Sequence, residues 1–164
     1  MYKKGILIFF VSFLIFFNPR IASAAEINLP TSSINPDNYL FYSFKRLFEK
    51  AFTFTKLSKQ SKVEYFRKLS MIRLAELKNA VDQKYLSDIE QSTQRLSAQI
   101  GETIDFIVAN KNDVGKEISS TQQLFNGYKE ILSNLRDKYP ANSSYWMLVQ
   151  HSINSIDINL EKIK

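Results

Sequence analysis

Between Val114 and Tyr139 a side chain suited to burial recurs at alternating steps of four and three residues: Val114, Ile118, Thr121, Phe125, Tyr128, Leu132, Leu135 and Tyr139. The same spacing returns at Trp146, Val149, Ile153, Ile156, Leu160 and Ile163. An average step of 3.5 residues confines the apolar groups to a narrow seam, so both stretches are predicted to be helices with coiled-coil-like packing. Tyr139-Pro140 stops the first, because the ring of a proline disfavours helical backbone in the residue before it. Asn142 to Ser144 offers caps for the second, and the short connection predicts an antiparallel hairpin.

Upstream, Ser87-Asp88-Ile89-Glu90 has the pattern of a capping box. It opens a helix to about Ala109 with Ile89, Thr93, Leu96, Ile100, Thr103 and Ile107 on one stripe, and Asn110 to Asp113 breaks the chain again. No stretch alternates with the period of a strand, and there is no internal repeat. The expected fold class is all-α, an antiparallel helical bundle of four longer helices plus one short aromatic N-terminal helix, as a single domain over residues 36–164.

The first residues speak to compartment. Lys3 and Lys4 precede an apolar run from Gly5 to Phe17, and a small-residue site follows at Ala22-Ser23-Ala24. This is the pattern of a secretory signal peptide over residues 1–24, cleaved after Ala24. The run falls short of the roughly 20 apolar residues that span a bilayer, which disfavours a retained anchor. Export to the periplasm or the exterior is therefore expected. The chain has no cysteine, so no disulfide, thiolate metal site or lipid-modified cysteine is available to it. Cleavage would remove Lys3, Lys4 and Arg20 and no acid, taking the net charge from +6 to 6 − 3 = +3.

Residues 25–35, with Pro30, Thr31, Ser32 and Ser33, read as an extended lead-in. The next stretch, 36–77, is the most aromatic and most basic part of the chain. From Phe41 to Ala80 ten lysines and arginines stand against three glutamates, a local charge of +7. A first helix is expected from about Pro36 to Phe54, with Phe41, Phe44, Leu47, Phe48, Ala51 and Phe52 forming one aromatic face that fills the core. A second starts near Ser58 or Ser61, the latter giving a capping box with Glu64. On its wheel Val63, Phe66, Leu69, Leu74, Leu77, Ala80 and Val81 share an arc, and Arg73 sits inside that arc. A guanidinium in such surroundings needs a carboxylate, with Glu49 and Glu76 as candidates, unless its stem lies on apolar surface and its head reaches water.

The inventory for catalysis is thin. The single histidine, His151, lies away from the seam of its helix and is read as exposed. No Glu-x-x-His pair exists for a carboxylate-bridged metal site, and the isolated glycines make no phosphate loop. Glu102 with Asp105, and Asp157 with Glu161, have the spacing of an acid and base on one helical face, which is also what solvated helix surfaces produce. The expectation is no catalytic, metal or cofactor-binding residue and no cofactor: not an enzyme.

Two binding readings remain. One is a non-catalytic binding, scaffolding or sensing module of the cell envelope, monomeric or weakly dimeric. The other is a peripheral binder of anionic lipid or polymer acting through the basic segment 41–80, with Lys45, Lys50, Lys56, Lys59, Lys62, Arg67 and Lys68 as contacts. Nucleic acid fits the charge but not export.

The segment also resembles a bacterial family known only as an extracytoplasmic domain of unknown function. The likeness spans about Leu29 to Glu90 and rests on Pro36, Phe41-Tyr42-Ser43-Phe44-Lys45-Arg46, Glu49, Thr53-Phe54, Lys62-Val63-Glu64 and Arg73-Leu74-Ala75-Glu76. Ser43 stands where the family often has a second proline. What the resemblance implies is an exported helical module in which Arg46, Glu49, Arg73 and Glu76 form a polar cluster between helices, structural in role.

Overall fold

A computed structural model describes residues 27–30 and 39–164. The leader expected at residues 1–24, its expected cleavage point and the helix start expected at Pro36 lie outside the described residues. Six helices and no strand occur among those described: α1 Tyr39–Phe54, α2 Lys59–Asp82, α3 Leu86–Ala109, α4 Lys111–Val114, α5 Glu117–Arg136 and α6 Ser144–Glu161. None is long and apolar enough to cross a membrane.

Local chemistry sets the helix ends. Ser58 caps α2 by accepting from the Ser61 amide at 3.1 Å, so the Ser61–Glu64 capping box is not used. At the other end Tyr85 N donates to Ala80 O at 2.9 Å and Lys84 N to Val81 O at 3.2 Å. That is the paired closure of a Schellman turn, with Lys84 in the left-handed region at φ 58°. The turn delivers the chain directly into α3 at Leu86, so Ser87 already lies inside the first helical turn. The expected Ser87–Glu90 box is therefore absent, and Tyr85 takes the cap position without a side-chain bond. Ser143 caps α6 by accepting from Trp146 N at 3.3 Å.

Most of the predicted stripes of the last three long helices lie in the observed core; Ile118 and Tyr139 are partly buried against it, and Trp146 is half-buried outside it, under Arg136. Ile89, Leu96, Ile100 and Ile107 of α3, Phe125, Tyr128 and Leu132 of α5, and Val149 and Ile156 of α6 are fully buried. Contacts fix how the helices run. Lys129 meets Asp157 at 2.8 Å and Arg136 meets Gln150 at 2.7 Å, so α5 and α6 are antiparallel. Phe66 meets Phe106 edge-on, ring centroids 5.5 Å apart, within the α2/α3 hairpin. The two hairpins meet differently. Along α3 and α6, Ser97 faces Ser152 and Asp105 faces Lys162, so numbering rises together and these neighbours are parallel. Along α2 and α5, Lys59 reaches Asp113 just before α5, and Ser70 reaches Tyr128 within it, again in parallel.

Residues 27–30 belong to no helix or strand, and Ile27 and Leu29 pack on the core. Ile27 lies over Gly127 of α5, where an added Cβ would stand 2.5 Å from its Cδ1. A glycine is what opens this notch to the incoming chain.

The first helix departs from expectation. Its apolar residues Phe44, Leu47, Phe48, Phe52 and Phe54 are exposed, Phe48 at 65% and Phe54 at 82%. At 100° per residue they form one arc with Ala51, and the side turned to the body carries Lys45, Glu49 and Thr53. The aromatic face does not fill the core: α1 docks through its polar side. The reason lies in α2, where the buried Arg73 requires carboxylates, and Glu49 is the one acid on α1.

Candidate functional site

The junction of α1 with α2 is built on Arg73, one of the few charged residues within the apolar arc of α2. Its side chain is 4% exposed. Nη1 donates to both oxygens of Glu76, at 2.9 and 3.0 Å, one turn further along the same helix. Nη2 donates to Glu49 Oε2, across to α1. Lys45, one turn before Glu49, reaches Glu76 Oε1 at 3.1 Å and lies 3.8 Å from Glu49 Oε1. Two cations thus face two carboxylates in a partly buried, near-neutral lattice. Tyr65 adds a bond from its hydroxyl to the Glu49 backbone carbonyl at 3.1 Å. Burial raises the Tyr65 phenol above its ordinary range, the Glu49 carboxylate adds to this, and Arg73 opposes it.

Three of the four cluster residues read from the sequence, Glu49, Arg73 and Glu76, come together as expected. Arg46 does not join them. It is exposed and lines a cleft of about 490 Å³ between α1 and the α2/α3 hairpin. Lys45 takes the fourth place, because it stands one turn from Glu49 on the inward side of α1, within reach of Glu76 on α2, while Arg46 is turned 100° from Lys45 toward the cleft. The spacing Lys45-x-x-x-Glu49, one helical turn, was the available signal for it. The cleft is walled by Arg46 and Lys50 on one side and by Gln99 and Glu102 on the other, over Phe66 and Leu69.

The basic residues named as surface contacts divide sharply. Lys45 is committed to the cluster. Lys59 pairs with Asp113 at 2.8 Å and Arg67 with Glu117 at 2.8 Å. Lys62 lies over the rings of Phe66 and Phe106, 4.8 Å from the latter's centroid, and Lys56 lies 5.3 Å from that of Tyr65. Lys50 and Lys68, with Arg46, are exposed and make no ion pair among the described residues. Of the segment's +7, three charges are met by acids outside it, Asp113, Glu117 and Asp82, which leaves 7 − 3 = +4.

The carboxylate pairs do not converge on one another. Asp105 pairs with Lys162 at 2.9 Å and Asp157 with Lys129 at 2.8 Å, Glu161 binds Lys164, and Glu102 accepts from Gln99 at 3.3 Å. His151 is exposed on α6. Among the described residues no group of histidine and acidic side chains is arranged to hold a metal.

What the arrangement does chemically is clamp. Four charges that neutralise one another hold α1 in the one rotation that turns Phe44, Phe48 and Phe52 to solvent. No protein-family model matches the chain, and neither curated proteins nor solved structures include one similar to it.

Proposed function

We propose that this chain is an exported, non-catalytic binding module of the cell envelope, a four-helix body carrying a short aromatic N-terminal helix as its docking element. The observation that carries the reading is the inverted rotation of α1. An amphipathic helix on a globular protein ordinarily turns its apolar face inward, whereas α1 turns Lys45 and Glu49 inward and five large apolar side chains outward. Each such side chain left in water forgoes about 1.5–3 kcal/mol of burial. A contiguous patch of this kind marks an interaction surface. Export supplies the compartment in this reading, and the resemblance to an extracytoplasmic family is in keeping with it.

The test is site-specific photo-crosslinking in the native host. A photoreactive residue at Phe48 or Phe54 is expected to trap envelope material, protein or lipid, while the same residue at Glu64, exposed on α2, traps none. Equal yields from all three positions would sink the assignment.

A further inference from the structure

We infer that the occupant of the α1 face is an anionic lipid bilayer, with α1 lying in the plane of the headgroups. This rests on the reading of α1 as the docking element and names what it docks on.

The apolar stripe does not stop at the end of α1. Phe54 and Leu57, the latter fully exposed in the turn to α2, continue it from Phe44 past the helix terminus. The helix has 16 residues, about 24 Å in length, so the stripe has the dimensions of an interfacial segment and not of a spanning one. Charge decides among the occupants. Glu49, the sole acid of α1, is turned inward and held by Arg73, while the exposed Lys50 borders one edge of the apolar arc with no ion pair among the described residues, and Arg46 sits further round, at the cleft. The outward side of α1 is therefore apolar at its centre, carries no acid, and has a lysine at one edge. Phenyl rings at headgroup depth with basic side chains beside them are what an anionic membrane surface attracts. A second copy packed face to face and antiparallel would bring the two Lys50 edges together, with no acid on either outward side to meet them. The turn of α1 also matters: the Lys45–Glu76 and Arg73–Glu49 links keep the helix from rolling its apolar side back toward the body.

Co-sedimentation tests the inference, using protein as an exporting host processes it and vesicles of phosphatidylcholine with or without one quarter phosphatidylglycerol. The anionic vesicles are expected to bind at least tenfold more tightly in 50 mM salt, and the preference to shrink at 500 mM. Lys50→Glu is expected to reduce the preference at least threefold. Phe44→Ser with Phe48→Ser is expected to weaken binding tenfold at both salt concentrations, and Lys68→Glu to leave it unchanged. No anionic preference, or binding indifferent to the α1 variants, overturns the inference. If vesicles fail while Phe48 crosslinks to a protein in cells, the lipid inference falls and the docking role of α1 stands; self-association lost in Phe44→Ser with Phe48→Ser would likewise replace the bilayer by a second copy. If neither vesicles nor crosslinks respond to α1, both fall.

Discussion

Arg73 of α2 and Glu49 of α1 join their two helices: the guanidinium, 4% exposed, donates through Nη2 to a carboxylate oxygen across the junction. With Glu76 and Lys45 the pair forms a closed set of charges. Such a set is costly to break from one side, because the group left behind remains buried without its counter-charge.

Replacing Glu76 by alanine should therefore destabilise the protein by roughly 3–5 kcal/mol, since this carboxylate receives both Arg73 and Lys45. Arg73→Leu should be milder, because Glu76 keeps Lys45 at 3.1 Å. Arg73→Leu with Glu76→Leu should recover most of what Glu76→Ala loses. Urea melts of the three variants provide the check, and simple additivity of the single changes would refute the coupling.

Phe48→Ser and Phe52→Ser should leave the thermal midpoint nearly where it was, within about 0.5 kcal/mol, because both rings are already in water. Phe125→Ala should cost about 3–5 kcal/mol, as that ring is fully enclosed against Tyr128 at 5.4 Å between centroids. Comparable losses at positions 48 and 125 would mean that α1 faces inward.

The helix ends give a contrast in serines. Ser58→Ala and Ser143→Ala should each cost about 0.5–2 kcal/mol by removing a cap. Ser87→Ala should be close to neutral, despite the capping pattern around it. Lys84→Gly should stabilise by about 1 kcal/mol, because glycine occupies the left-handed region of a Schellman turn without a Cβ penalty.

Tyr128, fully buried, shares a 3.0 Å hydrogen bond with Ser70, and burial pushes its phenol well above the ordinary range. Tyr128→Phe should cost about 0.5–1.5 kcal/mol at neutral pH, since Ser70 still donates to Arg67 O at 2.6 Å. In the unfolded chain the phenol ionises near pH 10, whereas the folded chain keeps its proton to higher pH. Stability from this group is thus complete below about pH 10 and falls as pH rises beyond it. Denaturation midpoints followed upward from pH 9 should drop more steeply in the parent than in Tyr128→Phe.

Asp82 works at the opposite end of the scale. Burial raises its carboxyl, but hydrogen bonds from Lys138 and Lys78 outweigh this and hold it below the usual range. The folded state therefore releases this proton more readily than the unfolded one. Its contribution is complete above about pH 4 and disappears as pH falls through the lowered value. Asp82→Asn should melt below the parent at pH 7, and the gap should close toward pH 2. A gap that stays constant would show that the pairs with Lys78 and Lys138 contribute nothing.

The seams of α3, α5 and α6 were legible because spacing decides which residues can share a buried stripe, although the stripe read for α3 left out Ile104, which is fully buried. Arg73 was legible for a related reason: a charge inside an apolar arc demands a partner. For α1 the same periodicity misled. Spacing defines an apolar face but not whether it turns inward, and here Glu49 and Lys45, drawn to Arg73 and Glu76, set the rotation. The Ser87 pattern failed because the turn at Lys84 starts α3 two residues too early for it. The parallel meeting of the hairpins had no signature in any single helix, since it depends on where the link through Asn110 and α4 sets the chain down.

That parallel meeting bears on the order of assembly. The α2/α3 and α5/α6 pairs each close over a tight connection, so either can zip up through contacts near in sequence, at little cost in loop entropy. Ser70 with Tyr128, 58 positions apart, and Ser97 with Ser152, 55 apart, can engage only once both pairs exist. The molecule is thus built as two prefabricated halves with a late seam, and damage along that seam should slow the final joining while leaving each half able to form.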